Sequence, residues 1–210
     1  MKKYAAEFFG AFALAFAVLL SLAGQSPLPT PVVAALTLGL FVYTIGHISG
    51  AHMNPAVTVG LWSIGKIRLQ EAIGYIVAQL GGGALAYFLA YNGLNMNLSL
   101  AGGLNAAVFF AEALGTMLFA FGIASVAYGR APSALSGIVV GGSLLLGIMV
   151  AAGIGSNGIL NPAVALALKS ANIIYALGPV LGAIAGFQLF KLLSGEETRR
   201  HAKAGAKKVA

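Results

Sequence analysis

Cysteine and aspartate are absent from this 210-residue chain, and charged residues of every kind make up only 8% of it. Without cysteine the chain has neither disulfide bonds nor thiolate metal ligands. Three histidines and five acidic residues, all of them glutamate, leave little material for a metal cluster or a hydrolytic site. We therefore expect no bound metal, no cofactor and no enzyme activity.

Apolar residues, in contrast, account for 59% of the sequence, which is more than the core of a soluble domain of this length holds. Six apolar segments approach the roughly 20 residues that a helix needs to cross the hydrocarbon layer. The composition and this pattern predict an all-α integral membrane protein. The segments run from about Ala5 to Ala23, Val32 to Ile48, Ala72 to Tyr91, Ala106 to Ala127, Ala134 to Ala152 and Ile174 to Leu193.

The net charge of +7 comes from basic residues that are distributed unevenly. If the six segments are threaded through a membrane, one side receives only Lys169. An excess of lysine and arginine marks the cytoplasmic side, so we expect both termini in the cytoplasm. The lack of a targeting signal other than the first span fits a prokaryotic inner membrane, which we expect as the location. We expect the basic tail to contact anionic lipid rather than nucleic acid. The basic residues on that side are Lys2, Lys3, Lys66, Arg68, Arg130, Lys191 and those of the tail, 196–210.

Two copies of the tripeptide Asn-Pro-Ala interrupt this apolar chain, at Asn54-Pro55-Ala56 and Asn161-Pro162-Ala163. Asparagine suits the cap of a helix, and proline suits its first turn. The apolar segments that follow the motifs, about Asn54 to Ser63 and Asn161 to Leu168, are too short to cross a membrane. We therefore predict two re-entrant half-helices that start at the motifs.

The two halves of the sequence repeat one another. Ala6 to Gly10 corresponds to Ala111 to Gly115, and each motif follows its glutamate, Glu7 or Glu112, at a similar distance. Because each copy contains three membrane spans, the second copy must be inverted in the membrane. We predict one channel domain over residues 1–210, with the repeats at about 1–98 and 99–195 and a cytoplasmic tail at 196–210.

The chemistry of the motifs suits a path for neutral molecules. Each half-helix points its N-terminus, which is partly positive, at the membrane centre. Two such ends that face each other oppose the passage of cations, protons included. Asn54 and Asn161 add uncharged amide donors, and a water molecule that accepts from both turns its hydrogens away. This orientation interrupts the hydrogen-bonded file along which protons would move.

The run from Gly46 to Thr58 resembles the first signature of the major intrinsic protein family, the aquaporins and glycerol facilitators. It reads Gly-His-Ile-Ser-Gly-Ala-His-Met-Asn-Pro-Ala-Val-Thr. The resemblance extends from Ala5 to about Leu193. It implies six helices plus two half-helices, a homotetramer with one pore per subunit, and passive flow of water or small neutral solutes. It also implies that Glu7 and Glu112 brace the re-entrant loops and that His52 lines the inner vestibule.

The second signature departs from the family, because Val164 stands where most members have an arginine. The resemblance places the other residues of the outer constriction at Ala34, Met149 and Gly158. Such a ring is apolar and has no fixed cation. We therefore expect relaxed selectivity, with urea, glycerol, ammonia or peroxide as possible solutes beside water.

Two other functional classes remain open at this point. Inverted repeats with broken helices also occur in secondary transporters, although the sequence places no aspartate, lysine or arginine inside the membrane for a coupling-ion site. A gated or non-conducting structural membrane protein is the other alternative, because an apolar constriction can also close by dewetting.

Overall fold

The computed structural model describes residues 1–98, 100 and 103–195, and this part of the chain contains helices but no strand. A π-helical turn, Leu89–Gly93, continues the fourth helix, and a short 3-10 turn, Ser133–Leu135, precedes the sixth. The predicted tail at 196–210 lies outside the described residues. The helices are α1 Lys2–Leu22, α2 Thr30–Ser49, α3 Pro55–Ser63, α4 Leu69–Phe88, α5 Ala106–Ala127, α6 Ser136–Gly153, α7 Pro162–Ala167 and α8 Ile173–Leu193.

Six of these helices are long and apolar enough to cross a membrane, whereas α3 and α7 are much shorter. Large apolar side chains cover the outer surface of the bundle, among them Leu36, Val77 and Ile138, each at least 60% exposed. Such a surface is stable in lipid and costly in water. The prediction of six membrane-spanning helices plus two half-helices is confirmed.

Glycines allow the long helices of each repeat to approach closely. A Cβ atom on Gly82 of α4 would lie 2.3 Å from the carbonyl oxygen of Phe8 in α1. The corresponding position on Gly182 of α8 would lie 2.1 Å from the carbonyl oxygen of Ala113 in α5. Both contacts are shorter than any side chain permits, so α1 with α4 and α5 with α8 form equivalent pairs whose backbones touch.

Each half-helix packs against the last long helix of the other repeat. A Cβ atom on Gly83 of α4 would meet the carbonyl oxygen of Ala163 in α7 at 2.3 Å. Likewise, a Cβ atom on Gly60 of α3 would meet the ring of Phe187 in α8 at 2.4 Å. This exchange brings the starts of α3 and α7, and with them both Asn-Pro-Ala motifs, to the centre of the bundle.

Candidate functional site

The motif asparagines cap the two half-helices as the sequence predicts. The side-chain oxygen of Asn54 accepts a hydrogen bond from the backbone N–H of Ala56 at 2.8 Å. The oxygen of Asn161 accepts from the N–H of Ala163 at 2.9 Å. Proline occupies the first turn of both helices, where its missing N–H costs nothing. Each asparagine is only 3% exposed, so its amide is buried in the protein and not in lipid.

The amide nitrogens of the two asparagines connect the two repeats. Nδ2 of Asn54 donates to the carbonyl of Leu160 at 2.9 Å, and Nδ2 of Asn161 donates to the carbonyl of Met53 at 3.0 Å. Met53 and Leu160 directly precede the two motifs, so the bonds are reciprocal. An amide carries two N–H groups, and the second has no acceptor among the described residues. Since both asparagines line the outer cavity described below, this second N–H is available to a molecule in that cavity.

Met53 and Leu160 adopt a backbone conformation that is rare for side chains larger than glycine. Their φ angles are 50° and 53°, in the left-handed region, which costs roughly 1–2 kcal/mol for each residue. The strain turns each N–H toward a buried carboxylate. Glu7 accepts from the N–H of Met53 and Glu112 from that of Leu160, both at 2.7 Å. These charge-assisted hydrogen bonds offset the strain.

Both glutamates are fully buried, and hydrogen bonds to several donors stabilise their charge. Glu7 accepts from the N–H of His52 at 2.9 Å, and Glu112 accepts from the N–H of Ile159 at 3.0 Å. A serine at the corresponding position of each loop donates to each carboxylate, Ser49 to Glu7 and Ser156 to Glu112. The glutamates therefore hold the loops in place, and neither has a carboxylate oxygen without a partner.

Glu7 has a side-chain amide donor that has no counterpart at Glu112 among the described residues. Nε2 of Gln79 donates to Glu7 at 2.7 Å and to the hydroxyl of Thr58 at 2.9 Å. In the second repeat, Pro179 stands at the position of α8 that corresponds to Gln79 and offers no donor. The sequence analysis missed Gln79, because a single glutamine in an apolar helix has no motif around it.

His52 is fixed by the same network. Its Nδ1 lies 3.1 Å from the hydroxyl of Thr58, and its ring packs edge-on against the ring of Tyr75 at 5.1 Å. The Thr58 hydroxyl also lies within hydrogen-bonding distance of the Asn54 carbonyl, at 3.0 Å, and of Oε1 of Gln79, at 3.3 Å.

Two cavities meet in the middle of the bundle. The outer cavity has a volume of about 300 Å³, is lined mainly by apolar side chains and includes Asn54 and Asn161. The inner cavity has a volume of about 800 Å³ and reaches the loops that follow α3 and α5, where Lys66 and Ser133 line it. Residues that line both cavities mark the passage between them. These are Leu38, His52 and Phe119.

Three of the four predicted constriction residues line the outer cavity: Ala34, Gly158 and Val164. The prediction of the fourth residue, Met149, is wrong. Its side chain is 60% exposed on the outer surface of the bundle, and the preceding residue, Ile148, lines the cavity instead. The reason is the phase of the helix, because neighbours in a helix point about 100° apart. The buried face of α6 runs through Val140, Leu144, Ile148 and Ala151.

A polar residue that the sequence analysis did not single out also lines the outer cavity. Asn157 lies in the loop before the second motif, and its Nδ2 is 3.1 Å from the hydroxyl of Tyr175, to which it donates. Its side chain is otherwise exposed. The cation nearest in sequence to the second motif, Lys169, lies with its Nζ 3.7 Å from the ring centre of Tyr91 and does not line this cavity.

The fold and this arrangement define a membrane channel in which two half-helices meet at one central path. Residues 1–190 match the profile of the major intrinsic protein family, and the chain belongs to this family. It is therefore a channel of the aquaporin and aquaglyceroporin class and not an enzyme.

Similar proteins span nearly the whole chain. Aquaporin AqpM of Methanothermobacter thermautotrophicus is 32% identical, over 90% of this chain and 92% of its own length. Aquaporin Z of Photorhabdus laumondii is 30% identical, over 94% of this chain and 99% of its own length. The crystal structure of the aquaglyceroporin from Plasmodium falciparum has the same fold, with a TM-score of 0.68 at 22% identity, over 90% of this chain and 93% of that one.

Proposed function

We propose that this channel passes water and small neutral solutes passively and that its selectivity is relaxed because Val164 replaces a cation at the outer constriction. The observation that carries the proposal is the lining of the outer cavity. Val164, Ala34, Ile148 and Gly158 line it together, and the described residues that line it include no lysine, arginine or glutamate. A constriction of this kind has fewer hydrogen-bond donors and more width than one with an arginine, so urea, glycerol, ammonia and peroxide are candidate solutes.

Exclusion of cations then rests on the centre of the path. The starts of α3 and α7 direct their partly positive N-terminal ends toward it, and Asn54 and Asn161 each keep one N–H for a permeating molecule. A water molecule that accepts both hydrogen bonds presents its oxygen to the asparagines. Its hydrogens then point outward on both sides, which interrupts proton transfer along the file.

A passive channel fits the buried charges better than a coupled transporter does. Coupling requires an ion site that binds and releases, and the buried carboxylates at the centre of the described bundle are Glu7 and Glu112. Hydrogen bonds with the loops occupy both carboxylates. We assign them the role of bracing the loops.

The remaining parts of the proposal concern orientation and assembly. Lys2, Lys66 and Arg130 lie at the end of the bundle that the inner cavity reaches, which supports a cytoplasmic position for that end and for both termini. We propose a prokaryotic inner membrane as the location and a homotetramer as the assembly, with the apolar outer surfaces of the bundle in contact with lipid and with other subunits.

Stopped-flow light scattering on proteoliposomes tests the function. Osmotic shrinkage measures water flow, and the re-swelling that follows measures entry of urea or glycerol. We expect wild type to conduct water and solute, and Val164→Arg to abolish solute entry. Val164→Met is the matched control, because methionine adds a long side chain without charge and should reduce solute entry less. Wild-type water flow no faster than that of empty liposomes would refute the open channel and favour a gated or non-conducting protein.

A further inference from the structure

We propose that the step that discriminates among solutes lies at an inner ring of Leu38, His52 and Phe119, between the two cavities. The inference rests on the proposed function, because it requires a path that conducts. It assigns the outer ring around Val164 the role of admitting solutes and the inner ring the role of rejecting the larger ones. The solutes that pass would then be narrower than the outer constriction alone allows.

The geometry of the cavities places this ring. The outer cavity of about 300 Å³ and the inner cavity of about 800 Å³ are separate volumes, and these three residues line both. They come from three different elements, α2, the loop before α3, and α5. Leu38 is 2% exposed and Phe119 is 1% exposed, so surrounding atoms hold both side chains on nearly every side. A molecule that moves from one cavity to the other must pass between them.

The comparison of the two repeats shows which residue narrows the path. Phe119 lies as far along the chain after Glu112 as Leu14 lies after Glu7. Phe119 in α5 and Leu14 in α1 therefore occupy corresponding positions of the two repeats. Leu14 lines only the outer cavity, whereas Phe119 lines both. The path is therefore asymmetric, with a phenyl ring on the inner side of the motifs where the outer side has an isobutyl group.

The ring discriminates among solutes by its chemistry as well as by its width. Two of its three sides are hydrocarbon, and the third is His52, whose ring is held by Thr58 and Tyr75. A solute inside the ring therefore finds one polar side chain in place of its hydration shell. Water loses few hydrogen bonds, because it is small and stays bonded to the neighbouring water molecules of the file. Glycerol, with three hydroxyls, is larger and loses most of its hydrogen bonds, and urea lies between the two.

Phe119→Leu tests the proposal, because it gives α5 the side chain that α1 already carries at the corresponding position. The ratio of glycerol to water permeability in proteoliposomes should rise about tenfold, which corresponds to a barrier lower by about 1.4 kcal/mol. Phe121→Leu is the matched control. It makes the same change in the same helix, but Phe121 packs against Phe190 at 5.2 Å and lines neither cavity. Its ratio should equal that of wild type.

A second variant keeps the proposal testable if the first does not fold. Leu38→Ala widens the same ring from α2 and should raise the same ratio, whereas Leu36→Ala, a change of the same kind on the outer surface of α2, should not. If wild type conducts no water, the proposed function fails. If wild type conducts water and both ring variants leave the ratio unchanged, the inner ring is refuted while the channel stands.

Discussion

Asn54 and Asn161 are bonded crosswise: the side chain of each donates to the backbone carbonyl of the residue that precedes the other. The same two preceding residues, Met53 and Leu160, donate their N–H groups to the buried glutamates. Each strained residue is thus held on both sides of its backbone. The motif is a connected unit in which cap, cross-bond and carboxylate depend on one another.

The cross-bond should contribute to stability separately from the cap. Asn54→Ala removes the cap, which costs about 1 kcal/mol, and the bond to Leu160, which costs about 0.5–1.5 kcal/mol more. Asn54→Ser keeps a cap of similar strength but is too short to reach Leu160. We expect thermal unfolding in detergent to rank wild type above Asn54→Ser and Asn54→Ser above Asn54→Ala. Equal stability of the serine variant and wild type would show that the cross-bond contributes nothing.

The two glutamates that brace the loops should differ in their contribution to stability. Glu7→Gln and Glu112→Gln each replace a carboxylate oxygen by an NH₂ group that faces donors, which loses charge-assisted bonds of about 1.5–3 kcal/mol each. Because Gln79 donates to Glu7 and not to Glu112, we expect Glu7→Gln to lower the unfolding temperature more.

Glu71→Gln provides the control for these two variants. Glu71 pairs with Lys3 near the surface of the bundle, and such pairs contribute about 1 kcal/mol or less. Glu71→Gln should therefore unfold within a few degrees of wild type. A larger effect at Glu112 than at Glu7 would contradict the role assigned to Gln79.

The close contacts between helices predict a clear difference among glycines. Gly82→Ala and Gly182→Ala each place a methyl group against a backbone oxygen, and overpacking of this kind costs about 1–3 kcal/mol. Gly142→Ala meets no atom within 4 Å and should be neutral or slightly stabilising. Unfolding temperatures in detergent decide the matter. A Gly82→Ala variant as stable as Gly142→Ala would mean that α1 and α4 separate without cost.

Asn157 should affect solutes more than water. It is a polar side chain at the outer cavity, and the hydroxyl of Tyr175 holds it in position. Loss of one hydrogen bond to a passing solute, about 0.5–1.5 kcal/mol, should lower urea permeability about two- to tenfold in Asn157→Ala. Water permeability, measured in the same vesicles, should change little. Tyr175→Phe should show a smaller loss, and an unchanged urea rate in both variants would exclude the contact.

Much of the fold could be predicted from the sequence, because the dominant forces leave long signals. Apolar runs near 20 residues mark the spans, and the predicted bounds of the first, Ala5 to Ala23, lie close to the observed Lys2–Leu22. Capping asparagine and first-turn proline mark both half-helices at the correct residue. The role of the glutamates at the loops came from the family resemblance, and the repeat added only that each lies at a similar distance from its motif.

The side chains that line the path could not all be predicted, because they depend on the rotation of each helix. α6 is apolar on every side, so its sequence does not indicate whether Ile148 or Met149 faces inward. Phe119 looks like any aromatic residue of an apolar helix until the cavities are known. Asn157 and Gln79 are single polar residues, and only their three-dimensional neighbours give them a role.

The packing of α3 on α8 and of α4 on α7 also bears on how the protein is made. Three sites in the first half of the chain contact residues of the second half. They are the carbonyl of Met53 and the close-packed glycines Gly60 and Gly83. These halves bind one another as two identical subunits do in a symmetric dimer, with each contact made twice. None of these three contacts can form until the second half of the chain has been synthesised, and the contact at Gly60 also requires α8, the last helix.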